Sequence, residues 1–326
     1  YILCARNGSP LIIGRGKDEM FISSDPHAIR EHTDQLVALE DGQIAKLDAR
    51  DFQVMQVDGK KVKSKILHLE EEWGESELGD YPHFMLKEIH EQSQSLQHCI
   101  SGRLRHAEGT SALGGLQIRP QDLSQLPHVR LIGCGTALHA AQIGQILVEQ
   151  WARIPAVSHV ASEFNANDPV INPKALHLAI SQSGETADTL SAVKEIQRKG
   201  ADVYGIVNVV GSSIARQCGK GVYIHSGPEQ SVASTKAFTN MVGALALFSL
   251  QLGRSRHLSK TKGKSIAGEM RKVPEKIRSY LDNPGPIQTA VDLIIQSKSV
   301  LFLGRGISSP VASEGALKLM EIAYIP

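Results

Sequence analysis

The residue types best suited to ligand chemistry lie together at 181–186, in the order Ser-Gln-Ser-Gly-Glu-Thr. They follow an apolar run at 175–180 and precede a helical pattern, so a strand, a hydroxyl-rich turn and a helix are predicted. First-turn N–H groups of a helix lack partners within it, and the helix dipole favours an anion there. The side-chain donors at this point are Ser181, Gln182, Ser183 and Thr186. Because the turn lacks lysine, it predicts one phosphate on a small polar molecule rather than a nucleotide triphosphate.

Helix capping is the alternative interpretation of a single hydroxyl at such a position. Four donor residues within six positions favour a ligand site instead.

Two further turns are predicted to contribute to the same site. Gly133-Cys134-Gly135-Thr136 follows an apolar run, with glycines that allow close backbone approach and Thr136 as the expected helix cap. A dinucleotide site would need a third glycine, which is missing. The other turn, 231–236, reads Ser-Val-Ala-Ser-Thr-Lys and precedes a long helical pattern. Its Lys236 fits two interpretations, an anion contact or an ordinary lysine at a helix start.

A pair of opposite charges lies near the end of the chain. Lys318 and Glu321 are three positions apart, on one face of a predicted helix. Spacing alone favours a surface ion pair. Glu314, on the same helix, is predicted to be structural.

The elements that must position these residues are predicted from position 128 onward, where apolar runs alternate with helical patterns. The five runs are 129–132, 157–160, 175–180, 203–207 and 222–224. They predict an α/β fold with a doubly wound parallel sheet, which binds ligands at the carboxyl ends of its strands. Residues 260–297 are predicted to be helical.

The opening of this module is repeated later in the chain. Val300-Leu301-Phe302-Leu303-Gly304-Arg305-Gly306 aligns with Val129–Gly135 at an offset of 171 residues, and a helical pattern follows. A strand at 300–303 and a second copy of the domain are therefore predicted.

The first part of the chain has a different character. Residues 1–58 contain short apolar runs separated by turn residues, including an Asp41-Gly42 turn, and are predicted to be all-β. Residues 59–127 are polar, with a helix predicted to open at Phe84.

The segment Ser181–Thr189 resembles the phosphosugar loop of the sugar isomerase (SIS) domain, in the form found in the glutamine:fructose-6-phosphate aminotransferase family. The segment Val232–Thr239 is similar to that family's Val-Ala-Ser-Thr-Lys-Ala-Phe-Thr segment, and Phe84–Gln92 to its connector motif, with Ser93 where the family usually has proline. Three stretches resemble the last strands of the family's N-terminal-nucleophile glutaminase domain: Ala5–Leu11, Phe21–Asp25 and Leu39–Ala45.

The resemblance implies five regions. They are the end of a glutaminase domain (1–58), a connector (59–127), a first SIS domain (128–260), a helical connection (261–297) and the start of a second SIS domain (298–326).

The resemblance also implies a reaction, in which ammonia from glutamine and fructose 6-phosphate give glucosamine 6-phosphate without a cofactor or metal. It makes Glu321 the acid–base residue and Lys318 its assistant. The substrate-binding positions would be Cys134, Gly135, Thr136, Ser181, Gln182, Ser183, Thr186, Val232 and Ser234. Ala137 stands where the family usually has serine, so one phosphate donor is lost. A homodimer is implied as well.

Composition fits a globular enzyme of roughly two domains. The chain has 326 residues and a net charge of +1, which favours neither nucleic acid nor a membrane as partner. Its four cysteines lack metal-ligand spacing, so a reducing cytoplasmic setting is expected. Both chain ends look cut. We therefore expect an internal fragment that is inactive alone, with the family's nucleophilic cysteine upstream and its ring-opening histidine and Schiff-base lysine downstream.

Two alternatives remain open at this point. SIS domains also occur in non-catalytic phosphosugar sensors, which normally carry a module for a partner or nucleic acid. They occur as well in sugar-phosphate isomerases and deaminases without glutaminase activity, against which the Ala5–Leu11 stretch argues.

Overall fold

The computed structural model describes residues 1–7, 11–24, 26–29, 32–40, 42–64, 66–68 and 78–326. The chain separates into two compact units, Tyr1–Glu75 and Ser76–Pro326. Parts of the predicted glutaminase-like stretches (8–10 and 25) and Asp41 of the predicted turn lie outside the described residues.

The first unit consists of short antiparallel strands. They are β1 (Ile2–Ala5), β2 (Ile12–Arg15), β3 (Met20–Ser23), β4 (Gln35–Ala38), β5 (Gln43–Leu47), β6 (Phe52–Gln56) and β7 (Leu67–His68). One sheet has the order β1-β5-β6 and the other β3-β2-β4-β7. Ile13 and Val37 of one sheet and Ala45, Leu47 and Val54 of the other form one buried cluster. The predicted β-strands of this region are confirmed, and β6 and β7 were not predicted.

The second unit contains a five-stranded sheet and ten helices among its described residues. Its elements in chain order are α1 (Phe84–Ile100), β8 (Leu104–Arg105), β9 (Thr110–Ser111), α2 (Pro120–Gln125), β10 (Val129–Gly133), α3 (Thr136–Ala152), β11 (Ala156–Val160), α4 (Ala161–Phe164), β12 (Leu176–Ser181), α5 (Ala187–Arg198), β13 (Val203–Val207), α6 (Ser213–Cys218), β14 (Gly221–Tyr223), α7 (Lys236–Arg256), α8 (Lys260–Leu281), α9 (Gly285–Ile294) and α10 (Ser308–Ala323). Strands β8 and β9 form a separate short hairpin.

The five-stranded sheet is parallel throughout, in the order β11-β10-β12-β13-β14. Its central strand β12 is buried along its whole length, which explains why it reads as a continuous apolar run. Successive side chains point to opposite faces, so Leu178 joins the core under α3 and α7 while Ala179 joins the core under α5 and α6. The predicted doubly wound parallel sheet is confirmed.

The predicted strand at 300–303 is wrong. Within the described part of the chain this segment belongs to no sheet, and Leu301 and Leu303 are 87% and 89% exposed. An apolar run becomes a strand only when a neighbouring strand takes up its backbone hydrogen bonds, and no strand of the described residues pairs with this one. The helix predicted after it is confirmed as α10.

The two glycine turns that suggested a repeat nevertheless share their geometry. Gly135 and Gly306 have φ of +53° and +61°, values that favour glycine. A Cβ on Gly133 would crowd the backbone of Ala137, and a Cβ on Gly304 would collide with the carbonyl of Ser308, in each case four residues further on.

Candidate active site

The predicted site residues lie at the carboxyl edge of the parallel sheet. Strands β10 and β12 are neighbours, so the turn after each of them opens at the same edge. The third turn, 231–236, follows β14, two strands away from β12. Asn208, which directly follows β13, connects the 181–186 turn with the segment that follows β14. Its backbone N–H donates to the Gln182 carbonyl, and its side-chain amide bonds Ser226 and Gly227.

The 181–186 turn has the compact form that its sequence predicts. The Ser181 and Thr186 hydroxyl oxygens are 2.9 Å apart, and Ser181 also accepts from the Gly184 N–H at 3.0 Å. The Ser183 hydroxyl accepts from the Glu185 N–H at 3.1 Å. Helix α5 begins directly after this turn, and its first backbone bond runs from Leu190 N to Thr186 O. The N–H groups of 187–189 therefore have no partner within the helix, as an anion site requires.

The expected cap of α3 is wrong. Thr136 is the first residue of the helix, Gly135 occupies the cap position, and no side chain caps the helix end. The Thr136 hydroxyl instead donates to Glu314 Oε1 at 2.8 Å and accepts from Lys318 Nζ at 3.0 Å. Ala137 is 7% exposed and packs in the main core, on the protein side of the turn.

Helix α10 lies on α3 through a buried polar cluster. Lys318 Nζ is 2.6 Å from Glu321 Oε2 and 3.4 Å from Glu314 Oε1. Glu314 Oε2 is 2.7 Å from His139 Nδ1, one turn along α3 from Thr136. The side chain of Glu321 keeps 34% of its surface exposed, against 17% for Lys318 and 7% for Glu314. Lys318 therefore bridges a buried carboxylate and an accessible one, which makes it more than a surface ion pair.

The charge state of Glu314 follows from these contacts. Burial raises the pKa of its carboxyl, but the hydrogen bond from His139, the charge of Lys318 and the hydrogen bond from Thr136 outweigh it. The resulting pKa lies below the usual value, so Glu314 is ionised at neutral pH. An ionised Glu314 holds the Lys318 ammonium beside Glu321.

The 231–236 loop is organised by a carboxylate that sequence reasoning missed. Glu229 accepts from the Ser234 hydroxyl at 2.9 Å and from the backbone N–H groups of Thr235 and Ala237. Burial raises the pKa of Glu229, and the backbone N–H donors oppose that shift. Val232 is 89% exposed, so its side chain is not packed against the other predicted residues.

Lys236 is the first residue of α7, but its side chain is turned into the protein. Its side chain is 4% exposed and Nζ lies 2.6 Å from Glu91 Oε2 of helix α1. Lys236 is therefore a buried ion-pair partner in this structure.

The structure brings Thr136, Lys318 and Glu321 into one hydrogen-bonded group, and Ser181 and Thr186 into another. It also adds His139 and Glu229. Glu314, which was expected to be structural, contacts Thr136, His139 and Lys318 at the same time. The only sequence signals for these residues are the helical spacings, three positions from Thr136 to His139 and four from Glu314 to Lys318.

Within the described ranges, His, Cys, Asp and Glu side chains form no group of three or more that could hold a metal ion. Among the same residues, no helix is both long and apolar enough to cross a membrane.

The chain is similar to known proteins in sequence and fold. The SIS domain model matches residues 122–250. The chain is 41% identical over 324 residues to a glutamine–fructose-6-phosphate aminotransferase (isomerizing) of Chlorobaculum tepidum, covering 99% of this chain and 53% of that protein. It is 40% identical to the protein of the same name from Thermus thermophilus, with the same coverage. The chain thus spans about half the length of the curated relatives it matches.

A solved structure is similar as well. The C-terminal domain of glucosamine-fructose-6-phosphate aminotransferase from Francisella tularensis matches with a TM-score of 0.72 and 32% identity. The match covers 77% of this chain and 70% of that one.

Proposed function

Because this chain belongs to the glutamine–fructose-6-phosphate aminotransferase family, we propose that it binds fructose 6-phosphate at the carboxyl edge of its parallel sheet. The 181–186 turn and the start of α5 would hold the phosphate, through Ser181, Gln182, Ser183 and Thr186. The turn at Cys134, Gly135 and Thr136 and the loop residues Val232 and Ser234 would line the sugar. The donor set is neutral, which suits a phosphate held by dipoles and hydroxyls.

The observation that carries the proposal is the position of the Lys318–Glu321 pair. Lys318 contacts Thr136 at 3.0 Å and Glu321 at 2.6 Å, so the proposed acid–base pair lies beside the turn after β10, at the carboxyl edge of the parallel sheet. Glu321 would take a proton from C1 of the open-chain sugar and return it to C2, and Lys318 would stabilise the oxygen on which negative charge develops.

For the whole protein we propose the reaction that the name of its relatives describes. Ammonia from glutamine adds to the C2 carbonyl of fructose 6-phosphate and water leaves, giving an imine. Transfer of one proton from C1 to C2, together with loss of the C1 hydroxyl proton and gain of a proton by the nitrogen, then gives glucosamine 6-phosphate, so the net step is amination with isomerisation. No step needs an oxidant, and none of the donors named above calls for a cofactor.

The first unit is proposed to be part of a glutaminase domain, followed by a connector and by the first SIS domain, with the start of a second at α10. The support is the two antiparallel sheets of the first unit and the shared geometry of the Gly133–Gly135 and Gly304–Gly306 turns. A homodimer is proposed on the family resemblance, and sedimentation analysis of the protein would test it.

Calorimetric titration of the chain with fructose 6-phosphate tests the binding proposal, with unphosphorylated fructose as the control. We expect saturable binding of the phosphate ester alone. Equal heats for both sugars, or none for either, would remove the phosphosugar assignment.

The competing function is a phosphosugar sensor without catalysis. The exposed carboxylate of Glu321 beside Lys318 favours an enzyme, because a sensor has no need for a group that moves protons. Exchange of C1 or C2 hydrogen of the bound sugar with deuterated water, followed by NMR, separates the two functions.

A further inference from the structure

Helix α1 approaches the 231–236 loop with a buried carboxylate. Glu88 is 1% exposed, and its Oε1 accepts from the Gln230 N–H at 2.6 Å and the Ser231 N–H at 3.2 Å. Two backbone N–H groups of an irregular loop thus donate to one side chain, which lies 142 positions before Gln230 in the chain.

The far end of the same loop is held independently. Glu229 bonds the Ser234 hydroxyl and the N–H groups that open α7. The segment between these two carboxylates contains Val232 and Ser234, the two loop residues of the proposed sugar site. Its backbone course is therefore set by Glu88 on one side and Glu229 on the other.

The position of Glu88 is itself fixed by a row of polar contacts between α1 and α7. On α1, Glu91 contacts Lys236 at 2.6 Å, Gln92 contacts the Thr239 hydroxyl at 2.6 Å and Ser95 contacts Asn240 at 3.2 Å. These residues follow Glu88 at helical spacing, so they share its face. A rigid helix held along this face allows Glu88 little freedom to move with the loop.

The burial of Glu88 has a cost that packing does not explain. Its second oxygen, Oε2, is fully buried and makes no hydrogen bond within the described residues. A buried carboxylate with an unpaired oxygen destabilises the fold, and an apolar side chain would avoid that cost. The side chain of Glu88 supplies the acceptor oxygen for the N–H groups of Gln230 and Ser231, which an apolar side chain could not do.

We propose that Glu88 is a positioning residue of the phosphosugar site, fixing the backbone at 230–231 so that Val232 and Ser234 face the sugar. This inference rests on the proposed function. Glu88 touches no substrate itself, and its effect passes through the loop.

Two substitutions of Glu88 distinguish the position of its acceptor oxygen from the charge of its side chain. Glu88→Gln keeps an acceptor oxygen at the same distance and loses the charge, whereas Glu88→Asp keeps the charge and withdraws the oxygen by one methylene. Positioning predicts that the Gln variant binds fructose 6-phosphate within about threefold of wild type and that the Asp variant binds about tenfold more weakly or worse. Calorimetry on the 326-residue chain measures both, and circular dichroism confirms that both fold.

Ser249→Ala is the matched control. It removes a buried hydrogen bond within α7, from the Ser249 hydroxyl to the Leu245 carbonyl, and involves neither the loop nor the polar contacts between α1 and α7. It should therefore lower the melting temperature without changing affinity.

An Asp variant that binds as well as wild type overturns the inference, and so does a Gln variant as weak as the Asp variant. If the wild-type chain fails to bind fructose 6-phosphate, the proposed function fails with it. If wild type binds and Ser183→Ala weakens binding while Glu88→Asp does not, only the role of Glu88 is lost.

Discussion

The Thr136 hydroxyl on the first turn of α3 donates to the Glu314 carboxylate on α10 across 2.8 Å, although the two residues are 178 positions apart in the chain. This bond and the neighbouring contact between His139 and Glu314 dock α10 onto the edge of the parallel sheet. Lys318 and Glu321 are consequently held where the turn after β10 opens. The proposed acid–base pair owes its place to a buried carboxylate, Glu314, which contacts Thr136, His139 and Lys318.

Removing that carboxylate should detach α10. Glu314→Ala leaves His139 and Lys318 without their shared buried partner, which is expected to cost about 3 kcal/mol of unfolding free energy. Urea denaturation followed by circular dichroism measures the loss. Glu275→Ala is the control, since its ion pair with Arg278 is 3.8 Å long and exposed, and its effect should stay below about 0.5 kcal/mol. Equal effects of the two substitutions would mean that Glu314 does not anchor the helix.

Substitution in the phosphate turn should weaken binding. Ser183→Ala removes one hydroxyl from the proposed phosphate site, and we expect a loss of about 1–2 kcal/mol in affinity for fructose 6-phosphate. Calorimetry gives the value directly. Ser191→Ala changes an exposed serine of α5 that bonds Asn165, and it should leave the affinity as it is. An unchanged affinity in the Ser183 variant would move the phosphate to another part of the edge.

Glu321→Gln should separate chemistry from binding. In protein that carries out the proposed isomerisation, this variant loses the group that moves the proton, so the rate should fall about 100-fold or more. Affinity for the sugar phosphate should change little, because the phosphate contacts are on other elements. Deuterium exchange at C1 and C2 followed by NMR reports the rate. Exchange at the wild-type rate would assign the proton transfer to a different group.

A buried histidine on the central strand is expected to make the folding stability sensitive to acid. His177 on β12 is fully buried. Burial lowers its pKa from 6.5 to about 4, and the charges of Arg130 and His128 add to the effect. A change of that size corresponds to about 3 kcal/mol.

The sign follows from proton counting. Between pH 6.5 and about 4 the unfolded chain binds a proton that the folded chain refuses, so stability falls as pH falls through this window. His177→Leu removes the group, and the stability difference between wild type and variant should shift in favour of the variant between pH 7 and pH 4. Urea titrations at both pH values measure it. A difference that does not change with pH would show that His177 is not the acid-sensitive group.

The glycine turn before α3 offers a test of backbone conformation. Gly135 has φ of +53°, so Gly135→Ala is expected to cost about 1–2 kcal/mol. Gly285 opens α9, has no positive φ and faces open space, so Gly285→Ala should be neutral or slightly stabilising. Thermal melts of the two variants provide the comparison, and a neutral Gly135→Ala would show that this turn relaxes without strain.

The sequence predicted the elements of the α/β unit well because buried parallel strands read as apolar runs. Residues 129–133 and 176–181 are examples, each flanked by a turn and a helix. The same pattern at 300–303 gave the wrong answer, since the pattern of side chains does not reveal whether a neighbouring strand is present. The site was predicted unevenly for a related reason. Local rules place Thr136 as a helix cap, but its actual partners lie on α10.

Residues that act over long sequence distances were not predictable at all. Nothing in the local pattern of α1 marks Glu88 as buried, because its partners lie more than 140 positions later. Glu229 was missed for a different reason, since its partners lie only five to eight positions later and its role depends on where α7 begins relative to the loop.

The matching turns at Gly133–Gly135 and Gly304–Gly306 each lead into a helix of the same polar cluster. One backbone turn occurs twice, and in both places a Cβ on its first glycine would meet the backbone four residues further on. The helices behind the two turns differ in where they carry their polar side chains. The first carries Thr136 and His139 in its opening turns, while the second carries Glu314 and Lys318 two to three turns further along. The polar cluster is therefore shared between the two helices, and neither helix could form it alone.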